Sequence, residues 1–254
     1  MKLLMVYAVW MLIYTPFYLF HFKDSIEVSI ITNLLNLFFG FWHLWYVAGL
    51  LGGVIILYIL KKRLVKDHTI LIISLVLFLI GWCIQKIELF YPNSEGLLGS
   101  LIRSSYPSRN FIFMGFPFVA LGYFISKIDF MPKLKSILSN KKVLLLLFLA
   151  LFIETTIHFY IIGRRGFDFY LILFFLCPSL ILIIQKNSKI IEVKDDFISK
   201  LSAAIYFIHP LVLFLIKETF KDLNNNAHYI VIAFFSIIFG SALIYANKRL
   251  KIFF

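Results

Sequence analysis

The chain has 254 residues, of which 61% are hydrophobic and only 15% are charged, and its formal net charge is +12. Soluble domains are about 45–50% apolar and about 25% charged, so a globule of this length could not hide so much apolar surface from water. The composition therefore excludes an ordinary soluble domain. The positive charge indicates basic cytoplasmic loops of a membrane protein rather than nucleic-acid binding.

The apolar segments are continuous and long, which predicts membrane-spanning helices rather than the short alternating strands of a barrel. We predict an all-α, multi-pass bundle of about eight transmembrane helices that forms a single domain over residues 1–254. The predicted spans are, in chain order, 3–20, 43–60, 69–86, 110–126, 143–162, 167–185, 199–216 and 228–247. Each can cross about 30 Å of hydrocarbon at about 1.5 Å per residue.

Lysine and arginine positions predict the orientation of this bundle. With the N-terminus in the cytoplasm, every cytoplasmic loop between spans holds at least four of these cations, and no outer loop holds more than three. Cytoplasmic loops carry the excess of Lys and Arg in multi-pass proteins, and an even number of spans puts both termini on one side. We therefore predict that both termini are cytoplasmic and that the protein resides in the cell membrane, in contact with the lipid bilayer.

Residues 24–40 lie between the first two spans and differ from both. Polar residues recur there at helical spacing, and Ile30, Leu34 and Phe38 occupy the opposite face. Asp24 followed by Glu27 is typical of the start of a helix. These features predict an amphipathic helix on the outer membrane surface.

The stretch FWHLWYVAG, residues 41–49, opens the second span with aromatic residues and one histidine. Trp42, Trp45 and Tyr46 fit an aromatic belt at the membrane surface, and in a binding site the rings at 42–46, Trp42 and Tyr46 above all, would stack on a sugar. His43 is less expected in such a belt. It is a candidate catalytic residue, with a structural histidine bonded to a loop carbonyl as the alternative.

Arginines are concentrated in two predicted outer loops, whereas nearly all predicted cytoplasmic cations are lysines. Arginine is the better bidentate ligand for carboxylates and phosphates, so this bias favours anion binding, with lipid-headgroup contact as the alternative. The candidates for substrate binding are Arg103, Arg109, Arg164 and Arg165, together with Asn110, which directly follows Arg109.

Glu154 is the only acid deep inside a predicted span, and His158 lies one helical turn later on the same face. A carboxylate inside a membrane normally faces the bundle interior and a partner, which His158, Arg164 or Arg165 could provide. Glu154 is therefore a candidate catalytic group, and His158 a candidate for substrate binding. The HExxH motif of zinc proteases is absent, so we predict no metal site.

His209 lies in the middle of the seventh span, within AAIYFIHPLVLF. Pro210 weakens the local hydrogen-bond ladder, and Tyr206 lies on the same helix face as His209. Ionisable residues at this depth usually mark functional sites. We predict a catalytic role for His209 and a binding role for Tyr206.

Three stretches together resemble acyltransferase family 3, a family of membrane proteins that includes sugar O-acetylases. They are HLWYVAGLL (43–51), SRNFIFMGFPFVALGYFIS (108–126) and LSAAIYFIHPLVLF (201–214). The resemblance implies transfer of an acetyl or other acyl group from acyl-CoA to a hydroxyl of a sugar or cell-wall glycan outside the cytoplasm. Acyl-CoA is then a donor substrate, and no cofactor is bound permanently. On this resemblance, His43, Arg109 and His209 occupy the family's histidine and arginine positions.

One feature of the family has no counterpart here. Its first span carries an Arg and a His, and residues 3–20 contain neither. We expect the chain to begin at the family's third span, as a truncated member, a divergent member, or one part of a split protein whose earlier segment a partner subunit supplies. An O-acyltransferase is one hypothesis, and the other is an inactive remnant or a non-catalytic subunit that binds or transports a glycan or lipid.

Overall fold

The structure is a computed structural model that describes residues 2–19, 26–90, 107–162, 168–187, 196–220 and 224–250. Within these ranges the chain forms ten α-helices and no strand. The helices are α1 (Lys2–Leu19), α2 (Ile26–Phe39), α3 (Trp45–Lys62), α4 (Asp67–Phe90), α5 (Phe116–Ser126), α6 (Pro132–Leu138), α7 (Lys141–Ile162), α8 (Leu173–Asn187), α9 (Phe197–Thr219) and α10 (Asn225–Leu250).

Five of the described helical segments are long and apolar enough to cross a membrane. They are Trp42–Lys62, Asp67–Ile87, Lys141–Tyr160, Phe197–Thr219 and Asn226–Arg249. Four shorter apolar helices accompany them, at Lys2–Phe17, Ile30–Phe39, Phe111–Ser126 and Leu173–Asn187. The predicted all-helical membrane bundle is therefore confirmed.

Two predicted spans differ in detail from the helices that form. The span predicted at 110–126 begins as a π-helical turn, Phe111–Gly115, before α5. Pro117 lies at the start of α5, where its missing N–H costs no helical hydrogen bond. The span predicted at 167–185 becomes helical only at Leu173, because residues 168–172 are held in an irregular conformation by side chains from other helices.

The chain divides into two compact units, Met1–His21 with Ile191–Phe254, and Phe22–Ile190. In the first unit α9 packs along α10, and the rings of Trp10 and Phe207 stack with centroids 5.1 Å apart. The Tyr14 hydroxyl also donates to the Phe207 carbonyl at 2.8 Å. The assignment of residues 1–254 to a single domain stays a prediction.

In the second unit α5 packs against both α3 and α4. Phe116 and Ala120 of α5 are buried with Ile70 of α4 in one cluster. Another cluster buries Phe78 and Phe169, whose rings lie 5.3 Å apart. Since Phe169 belongs to the irregular segment 168–172, this packing anchors that segment in the core.

Helix α2 begins at Ile26, within the predicted amphipathic segment 24–40, whose residues 24 and 25 lie outside the described residues. Its apolar residues Ile30, Leu34 and Phe38 are exposed, whereas Asn36 is buried. An uncovered apolar face is what a helix at a membrane surface needs, since lipid can cover it.

Candidate functional site

An ion pair joins the turn before α5 to the segment before α8. Arg109 Nε donates to Asp168 Oδ2 at 2.8 Å, and Arg109 Nη2 contacts the same oxygen. The two side chains are only 29% and 28% exposed. Asp168 therefore balances the charge of Arg109 and holds its guanidinium in one orientation.

Trp45 provides the second contact of Arg109. The guanidinium carbon lies 5.2 Å from the centre of the Trp45 ring, which is within the range of a cation–π interaction. A guanidinium has five N–H donors, and the contact with Asp168 uses only two of them. Arg109 is thus fixed on two sides, and its hydrogen bonds to described residues leave three N–H donors for a ligand.

Asn110 determines where Arg109 lies. Its side-chain oxygen accepts from the backbone N–H groups of Ile112 at 2.9 Å and Phe113 at 3.0 Å. Its side-chain amide donates to the Pro107 carbonyl at 3.0 Å. These bonds cap the π-helical turn, so the buried Asn110 acts on Arg109 by fixing the backbone next to it.

An apolar groove lies between α3 and the start of α5. Its cavity volume is about 210 Å³, larger than the roughly 150 Å³ apolar cavity that is known to bind benzene. The groove is lined by Trp45, Tyr46, Gly49, Leu50, Met114, Gly115, Phe118 and Val119. Trp45 is shared, because the same side chain lines the groove and contacts Arg109.

Two glycines form the closest approach beside this groove. A Cβ atom at Gly115 would overlap the backbone of Gly49, so position 115 requires glycine. A Cβ atom at Gly49 would lie 3.8 Å from the Gly115 Cα, an ordinary contact distance. Position 115 of the groove therefore cannot accept a residue larger than glycine, whereas position 49 can accept a small side chain.

The side chains of the aromatic stretch that opens the second span differ in exposure. Trp42 and Tyr46 are 50% and 55% exposed, as expected of an aromatic belt. His43 is partly buried in a 3₁₀ turn, Trp42–Leu44, that follows Gly40. Gly40 has φ +86°, and a Cβ there would meet the Leu44 backbone, so glycine allows this tight entry into α3.

Glu154 contacts a neighbouring segment of the chain through its carboxylate. Its two carboxylate oxygens accept from the backbone N–H groups of Leu171 at 2.7 Å and Ile172 at 3.1 Å. These N–H groups lie just before α8, where a negative charge is favourable. Two backbone amides are thus the partners that the described residues provide, and pairing with Arg164 or Arg165 stays a prediction, since both lie outside the described residues.

The same irregular segment is held by two further side chains. Gln85 of α4 accepts from the Phe169 N–H at 2.9 Å. The ring of His158, which is buried, lies 5.3 Å from the ring of Tyr170. Irregular backbone at membrane depth needs such partners, since lipid offers no hydrogen bonds.

His158 is paired with a lysine that the sequence did not single out. Lys86 Nζ lies 2.7 Å from His158 Nε2. An ammonium group can only donate, so Nε2 accepts and the proton of the neutral imidazole lies on Nδ1. The Lys86 ammonium also lies 5.2 Å from the centre of the Trp82 ring.

His209 belongs to the other compact unit, in α9. Its Nδ1 lies 3.0 Å from the Ile205 carbonyl and 2.9 Å from the Tyr206 carbonyl. Pro210 cannot donate to the Tyr206 carbonyl as an ordinary residue would, so that oxygen accepts from His209 instead. The proton is then on Nδ1, which leaves the lone pair on Nε2. The Tyr206 and His209 rings are 6.5 Å apart.

Within the second unit, the side chains of Arg109, Glu154 and His158 all contact one segment, residues 168–172. Sequence analysis missed Trp45, Asp168, Lys86 and Gln85 as parts of this arrangement, although Asp168 could have been found as an acid close behind Arg164 and Arg165.

Three predicted binding residues, Arg103, Arg164 and Arg165, lie outside the described residues. The catalytic roles of His43, Glu154 and His209 and the binding roles stay predictions. In the described ranges, no group of three or more His, Cys, Asp or Glu side chains could hold a metal ion.

Comparison with known proteins gives one match. The family model for acyltransferase family 3, described as an acyltransferase domain, matches residues 1–246. Comparisons with curated proteins and with solved structures give no match.

Proposed function

Since this chain belongs to acyltransferase family 3, a family of membrane acyltransferases, we propose that it moves an acyl group from acyl-CoA to a hydroxyl of a sugar or cell-wall glycan outside the cytoplasm. In this proposal the protein resides in the cell membrane. The donor comes from the cytoplasm, and the acceptor comes from the outside.

The observation that carries this proposal is the position of Arg109. Its guanidinium is fixed by Asp168 and Trp45, it retains N–H donors, and Trp45 also lines the apolar groove. An acyl group has an apolar chain and a carbonyl oxygen that becomes an oxyanion during transfer. The groove suits the chain, and the remaining donors of Arg109 suit the oxygen.

The reaction itself needs no redox step. The acceptor hydroxyl oxygen forms a bond to the acyl carbon, and the carbon–sulfur bond of the thioester breaks. The hydroxyl proton is taken up by a base and returned to the departing sulfur, which leaves as the thiol of CoA. Arg109 would stabilise the oxyanion between these two steps.

Glu154 is poorly suited to act as this base, because both of its oxygens accept from backbone N–H groups. We assign Glu154 to positioning the segment that carries Asp168.

The volume of the groove also limits the length of the acyl chain. If about 150 Å³ accommodates the six carbons of benzene, about 210 Å³ has room for a chain on the order of eight carbons. Acetyl would fit with space to spare, and a full-length membrane-lipid chain would not fit inside.

Transfer can be tested with the purified chain in lipid nanodiscs, given acyl-CoA donors of several lengths and an oligosaccharide acceptor. Release of the CoA thiol and the mass of the acylated sugar are the readouts. The double variant Arg109→Gln/Asp168→Asn removes both charges together, so no charge is left unpaired. We expect its transfer rate to fall by about 10²-fold or more, as for loss of one oxyanion donor.

Arg249→Gln is the matched control, since Arg249 lies in the last turn of α10 and its side chain is exposed. This variant should transfer at the wild-type rate. Full activity of the Arg109→Gln/Asp168→Asn double variant would show that the site is elsewhere.

A second candidate is a non-catalytic subunit that binds a glycan or lipid. It is favoured by the polar groups of Asn110 and Glu154, which are engaged with the protein's own backbone. Glycan binding by the wild-type chain without thiol release from any donor would support this candidate over the enzyme.

A further inference from the structure

A second cluster of cations around a ring and a carboxylate lies at the other end of α3. Lys61 Nζ donates to Asp67 Oδ1 at 2.7 Å, and Lys127 Nζ approaches Asp67 Oδ2 at 3.4 Å. The Tyr123 hydroxyl donates to Asp67 Oδ1 at 3.1 Å. We call these four residues the Asp67 cluster.

Tyr123 holds the two lysines near each other. Their ammonium nitrogens lie 5.5 Å (Lys61) and 4.9 Å (Lys127) from the centre of its ring. The residues come from the end of α3, the start of α4 and the end of α5, which pack together. Two cations from distant parts of the chain are thus held beside one ring by helix packing.

The cluster has an excess of positive charge. Lys62, Arg63 and Lys66 are exposed in the same short stretch, and Asp67 is the only acid among residues 61–67. The Lys61 and Lys127 side chains are 37% and 45% exposed, so a ligand from water can reach them. Hydrogen bonding to Tyr123, and then to Asp67, raises the pKa of Lys127, which keeps it charged at neutral pH.

We propose that the Asp67 cluster binds phosphate groups. On the proposed function, on which this inference rests, the ligand is the phosphate-bearing part of acyl-CoA. The charge distribution predicts this end of α3 to be cytoplasmic, where that donor is found. Ammonium groups bind phosphate as point charges, and Asp67 orients them without cancelling the local excess. An anionic lipid headgroup carries the same chemistry.

The test is ligand binding by the whole chain in nanodiscs of zwitterionic lipid, measured by calorimetry with CoA. The variant is the double substitution Lys61→Gln/Lys127→Gln. Lys133→Gln/Lys142→Gln is the matched control, because it removes two exposed lysines on the same predicted side. We expect CoA affinity to fall about tenfold in the cluster variant and less than twofold in the control, since a hydrogen bond to a charged group is worth about tenfold or more.

A second arm identifies the source of the phosphate. Nanodiscs with added phosphatidylglycerol are prepared, and the lipid retained by each purified variant is measured by mass spectrometry. Unchanged CoA affinity with less retained phosphatidylglycerol in the cluster variant would support a phosphate site occupied by lipid. If neither ligand responds, or if cluster and control variants respond equally, the proposal is overturned.

These measurements do not depend on turnover. Failure of the transferase proposal would appear as CoA binding that the cluster variant weakens, together with no acylated product. Failure of the phosphate site would appear as acylated product whose formation and CoA binding are the same in the cluster variant and the wild type.

Discussion

The two ends of α3 use the same components for different purposes. At one end a single arginine lies over Trp45 and is paired with Asp168. At the other end two lysines flank Tyr123 and share Asp67. The ends are about 24 Å apart along the helix, so they do not interact directly.

Their surroundings explain the choice of cation. The Arg109–Asp168 pair is the less exposed of the two and is linked through Trp45 to an apolar groove, where direction and flatness of the donors matter. The lysines are more exposed and have further cations beside them, so their effect depends on the summed charge and is screened by salt. The orientation of the donors therefore matters most at the Arg109 end of α3, and the total charge matters most at the lysine end.

Exchanging arginine for lysine, or lysine for arginine, should give the largest difference in effect between the two ends of α3. Arg109→Lys keeps the charge but cannot bond Asp168 through two nitrogens while lying flat on Trp45, so we expect kcat/KM for transfer to fall about 10²-fold. Lys61→Arg keeps the charge at the other end and should change CoA affinity by less than about threefold. Equal effects at both ends would contradict the distinction between geometry and charge.

The groove end should also be intolerant of added volume. Gly115→Ala places a methyl group against the Gly49 backbone, and we expect about 1–3 kcal/mol of destabilisation from overpacking. Thermal unfolding in detergent measures it. Gly122→Ala, in α5 directly after this turn, meets no atom within 4 Å and is the control. An unfolding temperature equal to that of the control variant would show that the close approach of the two glycines is not a constraint.

A smaller change in the same groove should alter selectivity without loss of stability. Gly49→Ala adds a methyl group at an ordinary contact distance and shortens the groove. We expect the ratio of kcat/KM between an octanoyl and an acetyl donor to fall about tenfold, as one methylene in a pocket typically allows. An unchanged ratio, with transfer intact, would place the acyl chain outside this groove.

The smallest expected effect concerns pH at the Asp67 cluster. The 3′-phosphate of CoA gains its second charge near about pH 6, so affinity should rise about threefold between pH 5 and 7. The pKa of Lys127 is raised above its usual 10.5, so its contribution remains up to pH 9 and is lost only as the pH rises through that raised pKa. CoA without its 3′-phosphate should show no such rise, and a rise of equal size for both ligands would exclude a role for that phosphate.

Local patterns were sufficient for the helices and for the class of protein. Apolar run length predicted where the apolar helices lie, although only five of the described ones are long and apolar enough to cross a membrane, and the helical spacing of polar residues in 24–40 predicted α2. The proline argument at Pro210 also holds, since the Tyr206 carbonyl accepts from His209 Nδ1. These features depend on residues within about one helical turn of each other, and their signal is therefore present in the sequence.

The site depended on contacts between residues far apart in the chain. Arg109 is 59 positions from Asp168, and Gln85 is 84 positions from Phe169. Helical periodicity places a residue on a face, but it does not say which residue of another helix meets that face. For this reason Trp42 was expected in the site together with Tyr46, which does line the groove, whereas Trp45 is the ring that contacts Arg109.

The sequence by itself determined an all-helical membrane protein of acyltransferase family 3, because run length, charge bias and motif order are local or additive properties of the chain. Only the tertiary structure decided that Glu154 binds backbone amides, that segment 168–172 is irregular, and that Trp45 joins Arg109 to a groove. Backbone groups in a membrane must be satisfied inside the protein, and which side chain satisfies them is known only when the helices are packed.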